Sequence, residues 1–294
     1  MANAKEIKGR MQSIANTKQI TSAMKMVSAS KLRRAQKQIG AGRPYQEKLR
    51  QVLAQVAASA SASGEIADPL LEVRPINREA FLVIASNKGL AGGFNIRVLK
   101  EAHLAIKEAQ AAGHDVSVIA VGRKVNEYFT KHGVTVDLAY LNTADIPNPI
   151  DSEIIAKDIR SAYEEGKYDK VSIVYPAFRS VMSQVPTVVP LLPIVAEGLT
   201  DQDSDSQFTA DFIFEPSASA ILGQLLPMYL ANQVHGCMAD AKTGEHGARM
   251  TAMTAATDNA TELLSQLEIS YNRARQAAIT NEITEIVAGA NALS

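Results

Sequence analysis

The residues of this chain best suited to chemistry fall into three groups. The first is a glycine-rich turn, Ser86-Asn87-Lys88-Gly89-Leu90-Ala91-Gly92-Gly93-Phe94-Asn95, set between an apolar run and an amphipathic stretch. A turn of this kind can cradle phosphate on backbone N–H groups at a helix N-terminus. Neither the P-loop spacing G-x-x-x-x-G-K-[ST] nor the dinucleotide spacing G-x-G-x-x-G is present, so it is read as a tight turn facing a partner. The second group is His235, Cys237 and His246, all of types that bind zinc. A closed zinc site needs four ligands and the chain has one thiol, so these are read as ordinary helix-surface or core residues. The third group is carboxylates, Glu164-Glu165 and Glu282 with Glu285, which look like solvated helix faces. His103, His114 and His132 stand near the ends of predicted helices and are expected in solvent. No Ser/His/Asp arrangement follows from the spacings, and no catalytic residue, metal ligand or cofactor is assigned.

The elements that must position these residues carry a strong charge asymmetry. Residues 1–50 hold twelve Lys and Arg against Glu6 and Glu47, a charge of +10, which leaves −11 on the remainder of a 294-residue chain with net charge −1. Such a segment is built to meet an anionic surface. The single cysteine, Cys237, excludes an intrachain disulfide and points to a reducing compartment. No apolar run approaches the ~20 residues of a membrane span. The first residues read as neither a signal nor a transit peptide, so membrane association is expected only through partners.

From Arg10 to Ile39 there is no Gly or Pro, and Ile7, Met11, Ile14, Thr17, Thr21, Met24, Ser28, Leu32, Ala35 and Ile39 recur at steps of three and four. This predicts a helix with one adhesive stripe. The spacing resumes at Tyr45, Leu49, Val52 and Val56 after Gly40, Gly42 and Pro44, and on pattern alone the helix breaks or kinks at Pro44. Between Gly247 and Gly289 lie 41 residues without Gly or Pro. Their seam, Met250, Met253, Thr257, Ala260, Leu264, Leu267, Tyr271, Ala274 and Ala278, is that of a left-handed coiled coil. Such a helix spans roughly 60 Å, against roughly 50 Å for a globule of the whole chain, so it is expected to protrude with the N-terminal stripe as its partner.

Between the two ends, Ala80–Ser86, Val116–Val121, Val134–Leu138 and Val171–Tyr175 read as buried parallel strands, separated by amphipathic stretches at Asn95–Ala112, Lys124–Lys131 and Asp151–Glu164. Alternation of this kind predicts a doubly wound, Rossmann-like α/β layer. The expected domains are an N-terminal coiled-coil helix over 1–60, a linker over 61–75, the α/β domain over 76–195, an acidic loop over 196–211 and a C-terminal coiled-coil helix over 212–294.

Three long motifs and the glycine turn carry a resemblance. Ile20-Thr21-Ser22-Ala23-Met24-Lys25-Met26-Val27-Ser28-Ala29-Ser30-Lys31 resembles the N-terminal signature of the gamma subunit of bacterial F-type ATP synthase. Ala248 to Ala260, Tyr271 to Val287 and Gly89 to Asn95 are similar to further signatures of that family, in the same order. The resemblance implies an antiparallel coiled coil of the two terminal helices inside a ring of alpha and beta subunits. It implies an α/β domain set with epsilon on the membrane rotor ring (the c subunits), and a shaft that couples ion flow to ATP synthesis in beta. It places Met24, Lys25, Arg273, Gln276, Thr280 and Glu282 against the collar, where beta offers an acidic segment. Phe212 and Phe214, which replace the family's common tyrosines, and Glu215 fall at the rotor-ring contact. It implies that the first helix continues through Pro44, and a peripheral location on the cytoplasmic face of the bacterial cell membrane. The single cysteine excludes the plant-type dithiol insertion. Two other readings compete: a basic coiled-coil tether for nucleic acid or an acidic partner, although for nucleic acid there is no Trp and the first aromatic residue is Tyr45, and a nucleotide-binding enzyme centred on the glycine turn.

Overall fold

The structure is a computed structural model that describes residues 4–63, 68–195, 215 and 217–293. The acidic segment 196–211, Phe212 and Phe214 lie outside the described residues. Contacts divide the chain into two units, Met1–Ala29 with Arg249–Ser294, and Ser30–Ala248.

The second unit is built on a five-stranded sheet. Its strands are β1 (Arg78–Ile84), β2 (Asp115–Val121), β3 (Val136–Tyr140), β4 (Lys170–Phe178) and β5 (Gln184–Leu192), in the order β3-β2-β1-β4-β5. The first four pair in parallel and β5 runs antiparallel to β4. Helices α2 (Phe94–Ala111), α3 (Arg123–Lys131) and α4 (Pro149–Glu164) link the strands. Alternate strand residues face opposite ways. Phe81, Val83, Val118 and Ala120 meet α2 and α3 through Val98, Ile106, Val125 and Phe129. Leu82, Ile84, Ile119 and Ile173 meet α4 through Ile155 and Ile159, together with Leu53, Leu226 and Leu230 of the long helices. Burial on both faces explains why the strands read as unbroken apolar runs. The predicted strands and helices fall where expected, whereas β5 is not among the predicted strands. Pro186 and Pro190 lie within it, which an edge strand tolerates because one side of its backbone carries no ladder.

The long helices are α1 (Ala4–Ser63) and α5 (Ala218–Leu293), of 60 and 76 residues. Helix α1 runs unbroken through Pro44 and α5 through Pro227, so the break expected from pattern alone is corrected. The residue four before each proline, whose carbonyl the ring crowds, is a glycine, Gly40 or Gly223. A backbone without Cβ gives way there most easily. In the second unit the two helices run antiparallel: the Gly236 backbone approaches Gln46, and Arg50 acts electrostatically on Tyr229. As numbering rises in one helix, it falls in the other.

In the first unit the hydroxyl of Thr257 donates to that of Thr21 at 2.9 Å. Ile7, Thr21 and Ser28 of α1 are buried, as are Met253 and Ala260 of α5. Seventeen residues back from Thr21 is Ala4, where α1 begins; seventeen forward from Thr257 is Ala274, after which every residue to 291 is exposed. The seam therefore ends before its expected last member, Ala278. Two further stripe residues are corrected. Thr17 is exposed and returns its hydroxyl to the Ser13 carbonyl at 3.0 Å, while Lys18 beside it is half-buried. Tyr45 is exposed as well, and the buried stripe there runs through Leu49, Leu53, Val56 and Ala60.

The threonine contact gives a direct test. Thr21→Cys combined with Thr257→Cys is expected to oxidise to an intrachain crosslink that binds the two ends of the chain under denaturing electrophoresis, while either change alone gives none.

Candidate functional site

At the glycine turn the chain satisfies its own polar groups. The Asn95 side-chain oxygen accepts from the Ser86 N–H at 3.0 Å, and the Asn95 amide donates to the Lys88 carbonyl at 3.4 Å. Leu90 and Gly92 both take the left-handed conformation, with φ of 61° and 57°. Leu90 holds its side chain out into solvent there.

In doubly wound sheets, ligands bind in the crevice at the carboxyl ends of the strands where the winding reverses. Here that point lies between β1 and β4, and α5 passes beside it, against the β4–β5 turn and the start of α2. A Cβ at Gly244 would stand 3.0 Å from Gln184 Cγ and 3.2 Å from the Phe94 ring, and one at Gly247 would stand 3.4 Å from the Val181 carbonyl. Gln184 is buried and locks the grip, donating to the Ser180 and Val181 carbonyls at 3.2 and 2.8 Å and accepting from Arg97 at 3.2 Å. Sequence reading missed this contact, although two glycines three apart in a helical run are a signal of close approach.

The sites considered from sequence separate in space. His235 Nδ1 lies 3.1 Å from Ser152 Oγ. The Ser152 hydroxyl donates to the Pro149 carbonyl at 2.8 Å, so its oxygen accepts from the imidazole and the pair is not an activated nucleophile. His246 is buried with Nε2 3.1 Å from the Asp145 carbonyl. Cys237 is buried, and desolvation reinforced by Asp240 pushes its thiol up to about 12, which leaves it neutral. Among the described residues no three metal-ligating side chains gather. Two histidines expected in solvent are partly buried: His114 lies 3.0 Å from the buried Glu79 carboxylate, and His103 packs against Tyr128 and His132. Burial, then Lys107 and His132, lower the pKa of His103.

The loop between β3 and α4 ties several elements together. Asn87 of the glycine turn donates to the Thr143 carbonyl at 3.1 Å, and its oxygen accepts from the Arg123 N–H at the start of α3. Asp145 pairs with Lys31 of α1, and that ammonium holds its carboxyl below the usual range. Lys242 and Glu245, both buried, pair at 3.3 Å within α5 beside this loop.

Of the residues tied by resemblance to partner surfaces, Met24 and Lys25 are half-buried on α1, and Arg273, Gln276, Thr280 and Glu282 are exposed on α5. The Thr280 hydroxyl returns to the Gln276 carbonyl at 2.9 Å. Glu215 is exposed.

A doubly wound sheet clasped by two antiparallel long helices, one of them seated against the turn that joins its last two strands, defines a class of α/β units built around helix packing. A family model described as ATP synthase matches residues 3–293. The ATP synthase gamma chain of Desulforamulus reducens is 43% identical and that of Geobacter metallireducens 42%, each over 293 residues; the first is covered completely and the second to 99%, with all of this chain covered in both. Among solved structures, a chain of the Euglena gracilis mitochondrial ATP synthase, OSCP/F1/c-ring in rotational state 3, is similar at a TM-score of 0.66 with 17% identity, over 99% of this chain and 94% of that one. A central stalk/c-ring chain of the Tetrahymena thermophila enzyme is similar at 0.60 with 20% identity, over 81% and 99%. The chain belongs to the ATP synthase gamma chain family.

Two predictions follow from the crevice and the buried histidine. Gly244→Val gains a few tenths of a kcal/mol of helix propensity but overpacks Gln184 and Phe94, so urea unfolding should show a net loss of about 2 kcal/mol. Burial lowers the pKa of His235 from its ordinary 6.5, so the unfolded chain binds this proton more readily than the folded one. Its contribution is therefore fully present above pH 6.5 and is lost as pH falls toward the folded value, by no more than about 1.4 kcal/mol per pH unit. In His235→Gln, stability measured from pH 7 to pH 5 should decline less steeply than in the wild type.

Proposed function

We propose that this chain is the rotor shaft of a bacterial ATP synthase, a subunit with no active site of its own that couples ion flow through the membrane sector to ATP synthesis or hydrolysis in the beta subunits. The observation that carries this reading is the end of α5. Seventeen residues of helix, 275–291, continue past the start of α1 with every side chain exposed. Ile279, Ile283, Ile286 and Val287 are 48%, 56%, 71% and 52% exposed. Spacings of three and four put the isoleucines on one face. A single helix of this length is marginal in water, and its apolar stripe requires a surrounding protein surface.

The collar of alpha and beta subunits supplies that surface. Gln276, Thr280 and Glu282 then act on this end, with Arg273 at its base, while Met24 and Lys25 face the collar farther along, on α1 beyond the Thr21–Thr257 contact. The basic face of α1, with Arg33, Arg34 and Lys37 exposed, suits an acidic segment of beta. Phe212, Phe214 and Glu215 are assigned the contact with the rotor-ring c subunits, alongside epsilon. No helix among the described residues is long and apolar enough to cross a membrane, in keeping with a peripheral attachment through these partners at the cytoplasmic face.

Co-purification with alpha, beta and epsilon from gently solubilised membranes is the expected outcome, and recovery of the chain only as a monomer would overturn the proposal. On reconstitution with alpha and beta, Arg273→Glu should weaken assembly by about 1–2 kcal/mol, roughly tenfold in affinity, and increasingly so at low salt.

A further inference from the structure

The last turns that α1 and α5 spend in the α/β unit are held by directional polar contacts. That unit ends at Ser30 and Ala248. One residue inside the first boundary, Lys31 pairs with the Asp145 carboxylate; two inside the second, His246 Nε2 meets the Asp145 carbonyl at 3.1 Å. One residue thus takes hold of both helices. The loop that carries it is itself tied down, through Asn87 to Thr143 at one end and at the other through Asn148, whose side chain accepts from the Ile150 N–H at 3.2 Å to cap α4. On the other face of α5, two residues away, Gly244 sits against Gln184 and Phe94.

Apolar packing beneath the helices is non-directional, and packed helices shear over one another at little cost. Polar contacts with a fixed partner resist that rotation. Lys31 and Asp145 retain 36% and 49% side-chain exposure, and a pair so open to water adds little to folding stability. Stability alone leaves unexplained why one loop residue engages both helices at the place where they leave this unit.

We infer that the β3–α4 loop, through Asp145, is a torsional pin that stops α1 and α5 from turning against the sheet, so that torque applied to the α/β unit reaches the helices. The torque-bearing part of this inference rests on the shaft reading above; the pinning does not.

The test separates the two. Spin labels at Arg34→Cys on α1 and Leu104→Cys on α2, both exposed positions, report the distance between helix and sheet layer in the full chain, and the buried Cys237 takes no label. Asp145→Asn is expected to broaden that distance distribution without moving the thermal unfolding midpoint. Lys31→Ala should broaden it likewise, and the double variant no further, because the two changes remove one contact. In the complex reconstituted with alpha and beta, the same variants should lose torsional stiffness, read from the angular fluctuations of a bead on a stalled rotor. A distribution unchanged in Asp145→Asn, or effects of the two changes that simply add, would overturn the pin. A wild-type chain that never turns in the complex overturns the shaft reading and the torque-bearing role, while the label distances still decide whether the pin exists.

Discussion

Everything in this molecule depends on a helix seam that has no partner nearby in sequence. The stripe of α5 from Met253 to Ala274 and that of α1 from Ile7 to Ser28 are separated by more than two hundred residues, yet each is the surface that buries the other, with Thr21 and Thr257 in direct contact. An isolated helix gains too little per residue to stand alone in water. The seam therefore forces the two ends of the chain together, and the α/β sheet is, in sequence, an insertion between them. Where α1 runs out, at Ala4, the seam of α5 runs out with it. What lies beyond is a helix with an apolar stripe that the other described residues leave uncovered.

The sheet illustrates how a fold is separated from the function it often serves. Its strand order produces a crevice at the carboxyl ends of β1 and β4, and a glycine turn follows β1, as in many nucleotide-binding proteins. Gly244 and Gly247 bring α5 against the rim of that crevice, and the buried Gln184 holds the β4–β5 turn onto it. The fold alone therefore assigns no ligand to this crevice.

Much of the fold was legible because periodicity is a direct consequence of burial. Strands covered on both faces read as continuous apolar runs, and a helix seam reads as steps of three and four, so the sheet, its helices and the paired ends could be placed from sequence. The parts that could not be placed depend on contacts distant in sequence. Strand β5 carries two prolines that only an edge position tolerates, and edge status is a property of the whole sheet. His114 and His103 were expected in solvent because they stand near helix ends, but Glu79 and Tyr128 approach them from other elements. The residues tied to partner surfaces came from long ordered motifs, and within the chain most of them touch nothing that would have singled them out. Asp145 had no signal at all in its neighbourhood: its partners are 114 residues before it and 101 after it.

The helix-breaking residues show how the two units divide the work of holding a helix together. Gly40, Gly42 and Pro44 in α1, and Gly223, Pro227, Gly236, Gly244 and Gly247 in α5, all lie within Ser30–Ala248. Each glycine costs a helix about 1 kcal/mol and each proline about 3 relative to alanine. There the sheet supplies the compensating burial, through Leu49, Leu53 and Val56 on one helix and Leu222, Leu226 and Leu230 on the other. The missing Cβ atoms of Gly236 and Gly244 in turn make room for Gln46, Gln184 and Phe94. In the other unit no sheet is present to offset such costs, and from Arg10 to Ala29 and from Arg249 to Ala288 neither residue type occurs. Intrinsic propensity is thus kept high along the seam itself, where Gly9 and Gly289 stand outside these runs near the helix ends, and is given up mainly where a second surface grips the helices. A helix meant to carry torque must stay continuous across both regions, and this distribution of glycine and proline is what continuity requires.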